Sequence, residues 1–454
     1  MNNFSNLPLS KEMINNLVNI GYKNTTPVQE QSLPHILDNK DLIVKAKTGS
    51  GKTAAFGIGL LQKLQVKKFR VQSLVLCPTR ELADQVAKEL RNIAKFAHNI
   101  KILTLCGGTA FGPQLGSLRH GAHIIVGTPG RVLKHLNKET LNLENLETLV
   151  LDEADRMLDM GFIEEIQSVI SFAPKQRQTL LFSATYPSEI MELSKSIQQD
   201  AISIETASVE VANKITERFY EVENSSKTDA LVKIFANFKP TNAIVFCNMK
   251  ISCDDLAKDL QDKGVDALAL HGDMEQYDRN DVLVQFSNNS CSVLIATDVA
   301  ARGLDIKELA MVVNYDMPHD SETYTHRIGR TGRAGAEGLA FTLFSTAQTQ
   351  HADDYQNDKR LFENIEDLKT QQNFKMRPPF VTLVIEGGKK DKVRKGDLLG
   401  ALTGDAGLKG SSIGRIDIYD RQSYVAIEAS LIDEAHKKLN SGKIKGKRFS
   451  VWIL

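Results

Sequence analysis

The sequence predicts an α/β protein with two tandem parallel-sheet domains, followed by a small α+β domain. Through most of the chain, short β-branched apolar segments alternate with longer helical patterns, which is typical of parallel sheets covered by helices. After residue 380 the order changes to β-α-β-β-α-β, which indicates a different kind of domain. We expect domains over residues 1–206, 207–370 and 380–454, with a linker over 371–379.

In the first domain, the apolar segments predict buried strands at Leu42 to Val44, Ser73 to Cys77, Ile124 to Val126, Leu149 to Leu151 and Leu180 to Phe182. Between strands, apolar residues recur at helical spacing, as in Leu82, Val86, Leu90 and Ile93. In the second domain, strands are predicted at Ala243 to Cys247, Val293 to Ala296 and Met311 to Tyr315. The polar stretch from Glu205 to Lys214 is the expected hinge between them.

The third domain begins beyond Pro378 and Pro379, which interrupt both periodicities. Its expected elements are a strand (381–385), a helix (397–402), two strands (413–419 and 423–428), a helix (431–439) and a strand (448–453). This order is that of a small RRM-like sandwich, a fold that often binds RNA.

Composition excludes several classes of protein. The hydrophobic fraction of 42% and the charged fraction of 25% are ordinary for globular domains and disfavour disorder. The longest uncharged apolar stretch, Ala54 to Leu61, is far shorter than the roughly 20 residues of a membrane span. The first residues do not resemble a secretory signal, so we expect a cytoplasmic protein. Its five cysteines include no C-x-x-C pair, which disfavours disulfides and zinc.

Positive charge is concentrated at the end of the chain. Residues 377–454 contain 15 basic and 9 acidic residues, although the whole chain has a net charge of zero. Two basic stretches stand out, Lys389 to Lys395 and Lys443 to Arg448. They form either a solvated surface or a site for RNA phosphates.

The strongest motif follows the first predicted strand and precedes a helical pattern. It consists of Ala46, Lys47, Thr48, Gly49, Ser50, Gly51, Lys52 and Thr53. Glycines let backbone N–H groups turn towards an anion, the lysine reaches the β- and γ-phosphates, and the threonine hydroxyl ligates Mg²⁺. The sequence therefore predicts a site for ATP and Mg²⁺, with Lys52 in a catalytic role.

A carboxylate pair follows the strand that ends at Leu151. Asp152 and Glu153 lie where open α/β sheets bind ligands, at the carboxyl end of a strand. We expect Asp152 to hold Mg²⁺ through water and Glu153 to activate the water that attacks the γ-phosphate. The alternative is an acidic surface turn, which the preceding strand and phosphate loop disfavour.

The second domain contains three arginines within eight residues, from His326 to Arg333. Arginine suits bidentate phosphate contacts and the charge that develops in phosphoryl transfer. Arg330 and Arg333 are therefore candidate catalytic residues, which would reach ATP if the two domains close on it. The alternative is a loop of solvated arginines.

These motifs, in this order, resemble the DEAD-box family of ATP-dependent RNA helicases across residues 4–370. The resemblance implies two RecA-like domains and assigns adenine recognition to Phe4, Tyr22, Thr26 and Gln29. It assigns a nucleotide contact to Asp305. It assigns RNA backbone contacts to Pro78, Thr79, Arg80, Gly107, Gly108, Thr128, Pro129, Arg131, Gln276, Arg279 and Thr297. The residues that couple ATP to RNA are then Asp155, Ser183, Thr185 and His326.

The segments 395–407, 413–418 and 423–427 are similar to the RNA-binding domain of DbpA-type helicases. The resemblance implies a partner of assembling large ribosomal subunits that recognises a ribosomal RNA hairpin near the peptidyl-transferase centre. We also expect the protein to be a monomer. The tail has few aromatics for base stacking on its sheet. Its expected RNA contacts are therefore the basic loops, with Lys389, Lys390, Lys392, Lys443, Lys445, Lys447 and Arg448.

Three other functions share these motifs. An ATP-gated RNA clamp would hold RNA without unwinding it, and strand displacement measured beside ATP turnover separates it from a helicase. A DNA helicase would be stimulated equally by DNA and RNA. A nucleotide-binding protein without catalysis would have no use for Glu153 and the two arginines.

Overall fold

The computed structural model describes residues 3–46, 49–206, 214–301, 309–332, 337–353, 355, 360–371, 373–405 and 407–454. It forms two compact units, one described up to residue 206 and the other from residue 214 onwards. Most of the expected hinge lies outside the described residues, as do four candidate site residues: Lys47, Thr48, Asp305 and Arg333.

The described residues of unit 1 form a seven-stranded parallel sheet in the order β3-β4-β2-β5-β6-β1-β7. Its strands are β1 (Leu42–Lys45), β2 (Ser73–Leu76), β3 (Ile102–Leu105), β4 (Ile124–Gly127), β5 (Thr148–Asp152), β6 (Gln178–Ser183) and β7 (Ile202–Glu205). Its helices are α1 (Lys11–Asn19), α2 (Pro27–Leu37), α3 (Lys52–Lys63), α4 (Arg80–Ile93), α5 (Phe111–Leu118), α6 (Pro129–Asn137), α7 (Ala154–Asp159), α8 (Ile163–Ser171) and α9 (Ser188–Ile197).

Successive residues of the inner strands enter two separate apolar clusters, one on each face of the sheet. Val75 packs in the first cluster, whereas Leu74 and Leu76 pack in the second. Both faces are buried because helices cover a parallel sheet on each side. The inner strands consequently read as continuous apolar runs, which made them predictable.

Apart from the expected adenine-binding segment, which precedes β1, the candidate motifs of unit 1 follow the carboxyl ends of strands, and parallel strands share that edge. The phosphate loop follows β1, Thr79 follows β2, and Gly107 and Gly108 follow β3. Thr128 follows β4, and the carboxylate segment begins at the last residue of β5. The fold thus gathers motifs that are far apart in sequence.

Unit 2 contains a second seven-stranded parallel sheet among its described residues, in the order β10-β11-β9-β12-β13-β8-β14. The strands are β8 (Lys214–Glu221), β9 (Ala243–Phe246), β10 (Ala267–Leu270), β11 (Val293–Ala296), β12 (Met311–Asn314), β13 (Glu337–Phe344) and β14 (Arg360–Glu363). The helices are α10 (Lys227–Phe238), α11 (Lys250–Asp262), α12 (Gln276–Ser287), α13 (Asp298–Ala301), α14 (Ser321–Ile328) and α15 (Thr349–Asp353).

The end of unit 2 is a four-stranded antiparallel sheet in the order β16-β17-β15-β18 with two helices. Its elements are β15 (Phe380–Ile385), α16 (Lys395–Gly400), β16 (Ile413–Ile418), β17 (Ser423–Glu428), α17 (Ile432–Ser441) and β18 (Val451–Ile453). The predicted fold class is confirmed. The last strand is shorter than predicted, since it begins at Val451 rather than at residue 448.

One face of this antiparallel sheet packs against α12. The Tyr424 hydroxyl donates a hydrogen bond of 2.9 Å to the Asp281 carboxylate. Beside it, Val284 of α12 forms a buried apolar cluster with Val384 and Tyr424. Tyr424 is therefore buried, with 4% of its surface exposed. In a free RRM sheet, an aromatic ring at such a position would be available to stack on a base.

No helix in the described part of the chain combines the length and the apolar character required to cross a bilayer.

Candidate nucleotide site and RNA interface

The phosphate loop leads from β1 into α3. Gly49 and Gly51 have φ of 83° and 94°, values that side chains other than glycine rarely adopt. The Lys52 ammonium, at the first position of α3, donates a hydrogen bond of 2.6 Å to the Ala46 carbonyl. Ser50 places a buried hydroxyl oxygen in the loop, and none of the described residues forms a hydrogen bond with it. A buried cation and an unpartnered hydroxyl at a helix N-terminus suit a phosphate group.

Gln29 connects the expected adenine-binding segment to this loop. Thr26 and Gln29 form a capping box that begins α2, and the Gln29 amide donates a hydrogen bond of 3.2 Å to the Gly51 carbonyl. A Cβ atom on Gly51 would lie 2.5 Å from that amide nitrogen. Phe4 and Tyr22 pack edge to face, with their ring centroids 6.3 Å apart. The four predicted residues thus belong to one packed region of unit 1.

The two carboxylates after β5 are buried together. Asp152 and Glu153 are 2% and 6% exposed, and Glu153 has a left-handed backbone with φ of 54°. Burial raises the pKa of the Asp152 carboxyl to about 7; Lys52 opposes this rise and Glu153 adds to it. The Arg156 Nε lies 3.3 Å from Glu153 Oε2, but within the described parts of the chain this oxygen accepts no aligned hydrogen bond.

This pair fits a divalent cation. Two buried carboxylates repel each other, and a bound cation relieves that repulsion and favours their charged forms. Carboxylate oxygens are the ligands that Mg²⁺ prefers in proteins.

Asp155 links the carboxylate segment to the end of β6. Its Oδ2 accepts hydrogen bonds from the backbone N–H groups of Ala184 and Thr185, at 3.0 and 2.9 Å, and from the Thr185 hydroxyl at 3.1 Å. Its own N–H donates to the Ser183 hydroxyl at 3.1 Å. Burial would raise the pKa of Asp155, but these hydrogen bonds, together with Lys52 and Arg156, lower it. A charged Asp155 therefore joins the two segments.

The predicted RNA segments of unit 1 meet around two arginines. Gly108 has φ of 68°, and a Cβ atom there would collide with the Arg80 guanidinium. The Arg131 guanidinium donates hydrogen bonds to the Thr109 carbonyl at 3.0 Å and to Gln114 Oε1 at 2.8 Å. Burial lowers the pKa of Arg131, and the positive charge of Arg80 lowers it further. The loops after β2, β3 and β4 thus place two guanidinium groups close together.

In unit 2, the predicted RNA residues occupy separate elements. Thr297 follows β11 and is 8% exposed. Gln276 and Arg279 lie in the first turn of α12, where the Arg279 guanidinium donates a hydrogen bond to the His271 carbonyl at 3.0 Å. His326 lies in the last turn of α14, and Arg330, just beyond that helix, is 6% exposed.

Arg327 is a residue whose role the sequence analysis missed. It is 1% exposed and donates five hydrogen bonds. Two reach the Asp298 carboxylate, at 2.8 and 2.7 Å, and one reaches Asn248 Oδ1 at 2.8 Å. These partners follow β11 and β9. Among the three arginines of its motif, this one holds the carboxyl edge of the second sheet together.

The two basic stretches of the C-terminal domain lie side by side. The Lys445 ammonium donates a hydrogen bond of 3.0 Å to the Lys392 carbonyl and lies 3.8 Å from Asp397 Oδ2. All seven predicted basic residues of these stretches are exposed. The fold therefore joins two stretches that are some fifty residues apart into one positive surface.

Three protein families match successive parts of the chain. The DEAD/DEAH box helicase family matches residues 26–193, the helicase conserved C-terminal domain matches 226–335, and the DbpA RNA-binding domain matches 382–453. Together they cover both parallel-sheet domains and the antiparallel one.

Similar proteins agree with these families. The chain is 50% identical to the ATP-dependent RNA helicase DbpA of Escherichia coli K12 over 447 residues, covering 98% of each. It is 36% identical to that of Bacillus subtilis 168, covering 99% of each. Among solved structures, Saccharomyces cerevisiae Dbp5 bound to RNA and ADP BeF3 matches with a TM-score of 0.71 and 30% identity, over 81% of this chain and 97% of that one. The chain therefore belongs to the DEAD-box ATP-dependent RNA helicases and, within them, to the DbpA type.

Proposed function

We propose that this helicase hydrolyses ATP when it binds RNA, separates short RNA duplexes locally, and is directed to one ribosomal RNA hairpin by its C-terminal domain. The hairpin lies near the peptidyl-transferase centre of large-subunit ribosomal RNA, and the work is part of large-subunit assembly in the cytoplasm. The protein acts as a monomer. The observation that carries the catalytic part is the Asp155 carboxylate, which joins the candidate hydrolytic segment to Ser183 and Thr185.

Residues of unit 1 have separate roles in binding and hydrolysing ATP. Lys52 neutralises charge on the β- and γ-phosphates, and Gln29 selects the adenine. Glu153 accepts the proton of the attacking water at its carboxylate. Mg²⁺, held by Thr53 and through water by Asp152, supplies charge neutralisation between the phosphates when bound.

Arg330 and Arg333 complete the site when the two RecA-like domains close around ATP and RNA. An arginine of this kind contributes about 10³ to 10⁵ in rate. Asp305 contacts the nucleotide, and His326 joins Asp155, Ser183 and Thr185 in transmitting the ATP state to the RNA. Hydrolysis therefore requires both domains, which explains why turnover would depend on RNA.

The basic surface of the C-terminal domain directs the protein to the ribosomal RNA hairpin. Exposed lysines contact phosphates without reading bases, so the shape formed by the two adjoining stretches provides the selection. The antiparallel sheet is a poor alternative, since its Tyr424 hydroxyl is already bonded to Asp281.

The test is strand displacement with two RNA substrates that share one short duplex, of which only one carries the ribosomal hairpin. For the wild type, we expect ATP-dependent displacement and a preference for the hairpin substrate. Replacing Lys389, Lys390, Lys443 and Lys445 by alanine should reduce the preference for the hairpin substrate at least about tenfold, since several phosphate contacts are lost.

The matched control replaces Lys409 and Lys437, two exposed lysines of the same domain outside both stretches, and should keep the preference. Hairpin preference that survives in the quadruple variant contradicts the targeting proposal. ATP turnover without displacement in the wild type would instead indicate an RNA clamp.

A further inference from the structure

An aromatic and cationic cluster lies beside Arg131, outside the residues assigned so far. The Phe111 ring, which begins α5, stacks on the His135 ring with 4.1 Å between centroids and 13° between planes. Charged groups surround it: Lys138 Nζ, Lys134 Nζ and the Arg131 guanidinium lie 5.3, 5.9 and 6.0 Å from the ring centroid.

Core packing does not explain Phe111. None of the eight residues of α5 is buried, and Phe111 itself is half-buried. A large aromatic ring on a helix without a buried residue contributes little to a core, so its contacts point to a surface function.

The Gln114 side chain makes four hydrogen bonds that hold this cluster in place beside the predicted RNA segments. The Gln114 amide donates to the Cys106 carbonyl at 3.0 Å and to Thr109 Oγ1 at 2.7 Å. Its Oε1 accepts from Arg131 at 2.8 Å and lies 3.0 Å from His135 Nε2. Because Oε1 is only an acceptor, Nε2 carries the proton of the imidazole. Gln114 thus ties the loop after β3 to both ends of the cluster.

The charges of the cluster are not balanced locally. Burial, together with the positive charges of Arg131 and Lys134, lowers the pKa of His135 to about 4. The imidazole is therefore neutral and gives the Phe111 ring a flat support. Among the described residues, no carboxylate lies within ion-pair distance of Lys134 or Lys138. Unbalanced cations around an aromatic ring suit a ligand with both a phosphate and a flat base.

We propose that Phe111, Lys134 and Lys138 form an additional subsite for one single-stranded RNA nucleotide, adjoining the Arg131 contact. The base stacks on the exposed part of the Phe111 ring, and the two ammonium groups contact its flanking phosphates. The subsite lengthens the RNA path on unit 1 beyond the family motifs. It rests on the proposed RNA-dependent function of the core.

The molecule contains a matched control. Phe69 is 55% exposed and also packs on a histidine, His123, with 4.6 Å between ring centroids. Exposed Lys67 and Lys68 precede it. It differs in position, because it lies before β2, at the amino end of the strands rather than at the carboxyl edge.

The test measures binding of a fluorescein-labelled oligouridylate of about 12 nucleotides to the full chain by anisotropy, over a series of KCl concentrations. Phe111→Ala should raise Kd about fivefold to tenfold, the size of one lost stacking contact. Phe111→Tyr should restore affinity because it retains the stacking face. Lys134→Ala/Lys138→Ala should reduce the slope of log Kd against log salt by about 1.4, from two lost phosphate contacts.

Phe69→Ala and Lys67→Ala/Lys68→Ala should leave both quantities unchanged. The subsite is overturned if Phe111→Ala binds as Phe69→Ala does, or if the lysine variant retains the wild-type slope. If RNA did not stimulate ATP turnover by the wild type, the proposed function itself would be overturned. This outcome is distinguishable from failure of the subsite, which changes only RNA binding by the variants.

Discussion

Glu153→Gln is expected to reduce RNA-stimulated ATP turnover by about 10³-fold, within the range for loss of a general base. Glu153 is 6% exposed, and its Oε2, 3.3 Å from the Arg156 Nε, accepts no aligned hydrogen bond from the described residues. Glutamine has the same shape and keeps the left-handed backbone, but its amide cannot accept the proton of the attacking water. Nucleotide binding should remain, because Lys52, Gln29 and the phosphate loop are unchanged.

Steady-state phosphate release at saturating RNA measures the loss, and equilibrium titration with a fluorescent ATP analogue measures binding. Glu164→Gln is the control, since Glu164 is an exposed acidic residue of the neighbouring α8. Turnover within threefold of the wild type would remove Glu153 from the role of base. Loss of binding together with turnover would assign Glu153 to the nucleotide site instead.

Arg327→Met is expected to lower the free energy of unfolding of unit 2 by at least about 2 kcal/mol, because hydrogen bonds to charged groups contribute about 1.5–3 kcal/mol each and the half-buried Asp298 loses its partner. Arg327 is 1% exposed, and its loss leaves the Asp298 carboxylate and the Asn248 amide oxygen without these hydrogen bonds. Arg327→Lys should not restore stability, because a single ammonium cannot reproduce the bidentate geometry.

Urea unfolding followed by tryptophan fluorescence checks this value. The single tryptophan of the chain, Trp452, packs beside the cluster that joins the antiparallel sheet to α12. Lys250→Met is the control, since Lys250 forms an exposed ion pair of 2.6 Å with Asp273 and such pairs contribute less than about 1 kcal/mol. A change as small as that of the control would show that the Arg327 network is not structural.

The sequence predicted the inner strands of unit 1 and missed both edges. Its five predicted strands correspond to β1, β2, β4, β5 and β6, whereas the edge strands β3 and β7 were missed. Edge strands are partly exposed, as in the half-buried middle of β3, so their apolar runs are short and mixed. In unit 2 the edge strands β10 and β14 were missed in the same way, as were β8 and β13.

The candidate nucleotide site could be proposed from the sequence because each of its motifs is local. The phosphate loop and the carboxylate pair each occupy a few consecutive residues after an apolar run. Gln114 and Arg327 were not predictable, since their roles depend on partners from several loops. Arg327 is one of three similar arginines in its motif, and its Asn248 partner is 79 residues away. The docking of Tyr424 on Asp281 spans 143 residues and left no local signal.

The most direct measurement of the central claim is a structure of the full chain trapped with ADP, beryllium fluoride and single-stranded RNA. The claim is that groups from both RecA-like domains act on one ATP. We expect the guanidinium groups of Arg330 and Arg333 within about 3 Å of the beryllium fluoride, with Glu153 facing the attacking water. Arginines that lie far from the terminal phosphate position in this trapped state would contradict the account.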